Sequence, residues 1–257
     1  MQGAIAGDII GSIFEFSNHK SEDFELFGRY NRFTDDSVMT IATADAILNG
    51  KEYAEAYKEW GRKYPNAGYG ARFSDWLRSD SMAAYGSYGN GSAMRVSPVG
   101  FACNSLEAVL RESQRSAEVT HNHLEGIKGA QCVATAIFLA RTGAGKEEIK
   151  AYSEKQFCYD LSKSLNEIRP GYGFDETCQG SVPQAIRAFL ESSNWEDAVR
   201  KGISLGGDSD TIGCIVGGIA QAYYKGIPTA VSEQTFKKVP SDFLTIIEEF
   251  NSRFNVV

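Results

Sequence analysis

The sequence predicts an all-α fold in a single domain, and three observations carry the prediction. Apolar residues recur at helical spacing along the whole 257-residue chain, as in Val38, Ile41, Ala42, Ala44, Ile47 and Leu48. No period-two alternation, linker composition or internal repeat interrupts them. Two Asp-rich clusters, Thr34-Asp35-Asp36-Ser37 and Gly207-Asp208-Ser209-Asp210-Thr211, each open such a helix. Carboxylates there cap free N–H groups and suit the positive end of the helix dipole.

Taken in order, Ala4 to Phe16 is apolar nearly all round and is expected as a buried helix. Its acids, Asp8 and Glu15, lie seven residues apart and so share a face. They read either as buried groups satisfied by backbone donors or as acids aimed at a metal site. Gly3, Gly7 and Gly11 recur at every fourth position, which lets a second helix approach closely. Residues 17–33 form a polar connection carrying Phe24, Phe27, Tyr30 and Phe33, either a lid or a solvated linker. Helices are expected at 35–49, 51–63 and 72–80, the last two parted by the breaker Tyr64-Pro65-Asn66-Ala67-Gly68-Tyr69-Gly70.

The stretch from Tyr85 to Arg95 is rich in glycine around Asn90 and runs into a helix. It is either a plain turn or a set of exposed N–H groups suited to a diphosphate. It is not a P-loop, because no Gly-Lys-Ser/Thr ending follows. Leu106 to Glu118 is an amphipathic helix leading into Thr120-His121-Asn122-His123. Without a nearby Cys or an H-E-x-x-H pattern, that histidine pair suits hydrogen-bonding or core roles better than metal ligation. Further helices are expected at 127–141, 147–159 and 161–168. A turn at Pro170-Gly171-Tyr172-Gly173-Phe174 presents two aromatics, and helices at 182–191, 195–204, 211–224 and 242–254 complete the chain.

Composition narrows the function classes. Lys plus Arg number 26 against 33 Asp plus Glu, a formal charge of −7 without basic clusters, which argues against a nucleic-acid surface. No run of about 18 apolar residues is present to span a membrane. The N-terminus lacks the basic start of a signal peptide. Five scattered cysteines, without a C-x-x-C pair, read as small buried hydrophobes in a reducing compartment, so a cytoplasmic location is expected.

The two Asp clusters carry the chemistry. One Asp suffices as a cap; a second carboxylate two residues on, followed by a hydroxyl, gives three hard oxygen donors that suit Mg²⁺, Mn²⁺ or Ca²⁺. Four Asp and two Thr on two helix mouths supply enough oxygen for a pair of divalent ions. Brought together without cations, they would repel strongly. An EF-hand fails on pattern, because Ile212 stands at the third oxygen position.

Five separated motifs then make the chain resemble the ADP-ribosylglycohydrolase family, which includes dinitrogenase-reductase-activating glycohydrolase and the ADP-ribosyl-acceptor hydrolases. They are Gly7-Asp8-x-x-Gly11 with Glu15, Thr34-Asp35-Asp36-Ser37, Gly89-Asn90-Gly91-Ser92-Ala93-Met94-Arg95, Thr120-His121, and Gly206 to Gly213. The resemblance runs from Gly3 to about Gly226 and implies one ADP-ribosylglycohydrolase domain over residues 1–257, an orthogonal helical bundle with a dinuclear Mg²⁺ or Mn²⁺ cleft. By motif, Thr34, Asp35 and Asp36 would bind one ion and Asp208 and Thr211 the other, with Asp210 between them. Gly89, Asn90, Gly91 and Ser92 would cradle the diphosphate; Met94 belongs to the same ADP-ribose-binding motif, and His121 would hydrogen-bond nearby. Glu15 or Asp35 would shuttle protons. The implied reaction is hydrolysis of the bond between ADP-ribose and a protein or small-molecule acceptor. Two rivals stay open: an all-α metal-dependent nucleotide phosphohydrolase, and a non-catalytic ADP-ribose-binding relative. Ser37 stands where the family more often has Thr, which keeps the hydroxyl.

Overall fold

The computed structural model describes residues 1–256, and these fold into helices without strands. In chain order they are α1 (Gln2–Gly11), α2 (Asp35–Asn49), α3 (Tyr53–Lys63), α4 (Ala71–Arg78), α5 (Gly91–Met94), α6 (Ser97–Ala102), α7 (Leu106–Glu118) and α8 (Leu124–Arg141). They continue with α9 (Lys146–Phe157), α10 (Leu165–Ile168), α11 (Cys178–Glu191), α12 (Trp195–Ile203), α13 (Ser209–Tyr224), α14 (Thr229–Phe236) and α15 (Ser241–Phe254). An isolated bridge ties Gly89 to Thr177. No helix among the described residues is long and apolar enough to cross a membrane.

Helix α13 is the central post. Every residue from Ser209 to Ala222 is buried, with α1, α8, α11 and α12 packed around it. Its partner α1 is buried along its whole length. The two meet antiparallel at glycines, backbone on backbone. A Cβ on Gly7 would lie 1.9 Å from the Gly213 carbonyl oxygen, and one on Gly217 would lie 2.1 Å from that of Gly3. No side chain fits there, so the spacing of Gly3, Gly7 and Gly11 is used for close approach, as expected. Trp195 seals the crossing by donating its indole N–H to the Gly217 carbonyl at 3.0 Å.

Helix α1 is shorter than expected. It stops at Gly11, and residues 12–18 form turns, so Glu15 is not on the α1 face that carries Asp8. The reason is a side-chain cap: the Asn31 amide donates to the Ile9 and Ile10 carbonyls, and the Ser12 hydroxyl to that of Ile9. These bonds satisfy carbonyls that a longer helix would have claimed. Other boundaries differ as well: α8 starts three residues before the expected 127 and α3 two residues after the expected 51. Helix α11 begins four residues before Val182, capped by the Thr177 hydroxyl, and carries Pro183 inside it. Of the expected helix at 161–168 only Leu165–Ile168 forms, closed by a capping box between Ser164 and Glu167. Helices α6 and α14 were not anticipated.

The connection at residues 17–33 is strapped down rather than hinged. Lys20 donates to the Tyr172 and Leu205 carbonyls, Arg200 to those of Glu22 and Phe24, and Lys238 to those of Gly28 and Asn31. Arg169 pairs with Glu22 at 2.5 Å. Nothing in that arrangement favours the lid reading over a fixed strap.

Candidate active site

The antiparallel crossing brings the last turn of α1 against the first turn of α13, and α2 starts beside both. Gly206 and Gly207 both take positive φ, +74° and +73°, which turns the chain sharply into α13. A Cβ on Gly207 would strike the Gly173 carbonyl oxygen at 2.6 Å, so the loop before α11 sits against this turn. Phe174 of that loop stacks on Phe16 with ring centroids 5.9 Å apart, and both rings are exposed.

Asp8 holds α2 in place. Its carboxylate accepts from the Thr34 N–H at 3.0 Å, the Ser37 N–H at 3.1 Å, the Thr34 hydroxyl at 2.7 Å and the Ser37 hydroxyl. A buried carboxylate on α1 therefore anchors the start of α2, beside the cap that the Thr34 hydroxyl provides by accepting from the Asp36 N–H. For Asp8 the structure bears out the sequence reading of a buried acid satisfied by backbone donors, here the Thr34 and Ser37 N–H groups.

Five carboxylates converge. Asp8, Asp36 and Asp210 each offer an oxygen within 4.8 Å of the others, and so do Glu15, Asp208 and Asp210. Asp210 belongs to both groups. Asp36 accepts from the Thr34 hydroxyl at 3.2 Å through Oδ2, while its buried Oδ1 has no hydrogen-bond partner. The Thr211 N–H donates to Asp210 at 3.0 Å, and the Thr211 hydroxyl lies against the Met94 sulfur at 3.9 Å. Asp35 stands outside both three-acid groups. It is half-buried, beside Gly68, with its N–H bonded to the Ala67 carbonyl.

Protonation follows from this crowding. Burial and then the Asp208 charge push Glu15 up to about 7. Burial pushes Asp8 up to about 6 against its four hydrogen bonds. Asp36 and Asp35 are held well above the usual carboxylate range by burial and then by Asp8; Asp210 is held there by burial and then by Asp36. Buried acids that raise one another in this way are compensated by protons or by a cation. An all-oxygen donor set with a buried, unpartnered Asp36 oxygen fits a hard divalent cation.

The glycine turn lies on the other flank. Asn90 is nearly buried, and its amide donates to Asp208 Oδ2 at 2.7 Å, which ties the turn to the acids. Its own N–H is taken by the Glu176 carbonyl at 2.7 Å. Gly89 donates its N–H to the Ser87 hydroxyl. The Ser92 hydroxyl points inward to the Gly126 carbonyl, and Met94 is buried, its carbonyl accepting from the Cys214 thiol. His121 packs beneath the turn, its Nε2 3.1 Å from where a Gly91 Cβ would sit. Its Nδ1 is 2.7 Å from the Thr120 hydroxyl. Burial, then the Arg95 and Arg72 charges, hold its pKa well below the ordinary value. Glu15, Asp36, Asp208, Asp210, Thr34, Thr211, Asn90 and His121 thus gather in one region. The side chains of Ser92 and Met94 face the interior.

Comparison with known proteins shows the family. A family model described as ADP-ribosylglycohydrolase matches residues 1–255. The ADP-ribosylarginine hydrolase Tri1 of Pseudomonas putida (strain GB-1) is 29% identical, over 88% of this chain and 70% of its own length. The ADP-ribosylhydrolase ARH3 of Homo sapiens is 26% identical, over 87% of this chain and 84% of its own. A solved structure described as an ADP-ribosylglycohydrolase-related protein complex shares the fold, with a TM-score of 0.66 over 97% of both chains at 22% identity. With two acid-bearing helix mouths, a glycine turn tied to them, and a family match over nearly all of its length, the chain belongs to the ADP-ribosylglycohydrolase family.

Proposed function

We propose that this chain hydrolyses the bond between ADP-ribose and its acceptor, at a site that holds two Mg²⁺ or Mn²⁺ ions. The observation that carries the reading is Asp210, shared by two three-acid groups beside the Asn90 turn. Asp36 with Thr34 and Asp35 would hold one ion, Asp208 with Thr211 the other, and Asp210 both. Asp8, already accepting four hydrogen bonds, acts as their anchor. Bound there, divalent cations supply positive charge that orients ribose hydroxyls and makes a water more acidic.

The protein's own groups do the rest. The Gly89, Asn90 and Gly91 turn, with His121 beneath it, receives the diphosphate at its Gly91 and Ser92 N–H groups, those of Gly89 and Asn90 being taken by Ser87 and Glu176, and the Ser92 and Met94 side chains support it from inside. Water attacks C1 of the distal ribose as oxocarbenium character develops, and a carboxylate oxygen of Glu15 or Asp35 takes its proton. The acceptor leaves with a proton in turn. Glu15 is part of the second acid group, which sets its carboxylate beside the ions and the water they orient.

Release of ADP-ribose from arginine-, serine- and nucleobase-linked substrates, with and without EDTA, tests the reading. Metal-dependent release from at least one substrate is expected. Hydrolysis of deoxynucleoside triphosphates instead would favour the phosphohydrolase, and binding of ADP-ribose without turnover the non-catalytic relative.

A further inference from the structure

We propose that Arg95 and Thr120 fix the tautomer of His121, so that its ring presents an Nε2–H donor, not a lone pair, to the glycine turn. Arg95 lies in the core, 1% exposed, with its guanidinium 4.2 Å over the Tyr57 ring. One nitrogen donates to the Ser116 carbonyl at 2.8 Å and to the Thr120 hydroxyl oxygen at 3.0 Å. A guanidinium has donors only, so the Thr120 oxygen must be the acceptor in that contact.

The hydroxyl proton of Thr120 is then free to point elsewhere, and His121 Nδ1 is 2.7 Å away. If the hydroxyl donates to Nδ1, that nitrogen carries the lone pair. A neutral imidazole places its single proton on the other nitrogen, Nε2. The reverse tautomer would require Nδ1–H to donate to an oxygen already accepting from Arg95. It would also turn the positive N–H end of the ring dipole toward the Arg95 cation, whereas a lone pair on Nδ1 faces a hydroxyl that the cation polarises as a donor. Burial and two neighbouring arginines keep the ring uncharged, which removes the third possibility of both nitrogens donating.

The consequence reaches the site. Nε2 faces Gly91 and Gly89, so the turn gains a side-chain donor beneath its backbone. An anionic oxygen, such as that of a diphosphate, is the chemical partner for that donor; this step rests on the ADP-ribose reading. With Nδ1 engaged and Nε2 protonated, His121 has no free lone pair and orients ligand without carrying protons. Arg95 and Thr120 are positioning residues, acting through the ring.

Selective ¹⁵N labelling of histidine resolves the tautomer, since the chain has three histidines, His19, His121 and His123, and a His121→Gln spectrum assigns the signal. The expected result at neutral pH is a protonated-type Nε2 and an unprotonated-type Nδ1. Thr120→Val should mix the tautomers and weaken ADP-ribose binding about tenfold with metal content unchanged. Thr120→Ser should restore both readouts. A proton on Nδ1, or a charged ring, in the wild-type protein overturns the inference even if ADP-ribose binds. Wild-type protein with the expected tautomer but no affinity for ADP-ribose overturns the functional reading and leaves the tautomer assignment standing.

Discussion

At Asp210 one carboxylate serves two acid groups, so its replacement separates ligation from capping. Asn is nearly isosteric, and Asp210→Asn should fold yet lose activity by more than the 10- to 100-fold typical of groups that only support ligands. ADP-ribose release and bound metal, measured on one preparation, check this; full turnover with normal metal content would falsify the shared role. Asp8→Asn should behave as a supporting change. An amide turns its NH₂ toward either the one donor on Oδ1 or the three on Oδ2, so metal affinity should drop about 10- to 100-fold and stability by about 1–3 kcal/mol. Asp45 gives a contrast away from the site. It accepts from Trp60 Nε1 at 2.7 Å, Lys51 at 2.9 Å and Asn49 at 2.6 Å. Burial raises its pKa, but those bonds outweigh burial and leave it below the usual carboxylate value. A depressed carboxyl stabilises above its unfolded pKa, about 4, and loses that contribution as pH falls through the folded value. The melting-temperature gap between wild type and Asp45→Asn should therefore be full at pH 7 and shrink below about pH 4. A gap constant from pH 7 to pH 3 would rule out this account.

Among the elements, the α1–α13 crossing is the most exacting. Gly7→Ala puts a methyl 1.9 Å from the Gly213 oxygen, on backbone that cannot rotate aside. The helices must part, and a loss of at least about 3 kcal/mol is expected in denaturant titration. Gly145→Ala is the control: φ is −74° and a Cβ there meets nothing within 4 Å. It should change stability by less than about 1 kcal/mol. Helices were legible where periodicity was long, as in α2 and α7, whose bounds match expectation to the residue. They were misjudged where a distant side chain decides the end. Asn31 terminates α1 from twenty residues away, and no local signal in Ala4 to Phe16 announces it. The same limit applies to the site. Asp36, Asp208 and Asp210 declared themselves by type and spacing, whereas the Arg95–Thr120–His121 chain joins residues whose contact only tertiary packing reveals.

For the whole molecule, the acids set a debt of repulsion that a bound cation relieves. Chelation should lower the melting temperature, and Mg²⁺ or Mn²⁺ at a hundred times its Kd should restore about 2.7 kcal/mol for each site filled. For a chain of this size that corresponds to roughly 5–10 °C. An unchanged melt after exhaustive EDTA treatment would exclude a structural contribution from metal.

The glycine crossing also bears on how the chain is made. Helix α1 has almost no polar face and buries itself on α13, whose first residue lies about 200 positions later. A ribosome adding ~5–20 residues per second leaves that surface without its partner for roughly 10–40 s. Nascent chains arrested before Ser209 should thus expose α1 to protease and to hydrophobic-binding chaperones, and release of longer chains should shelter it. The last turn of α1 becomes part of a site only once α13 has been made, so no catalytically competent intermediate precedes that helix.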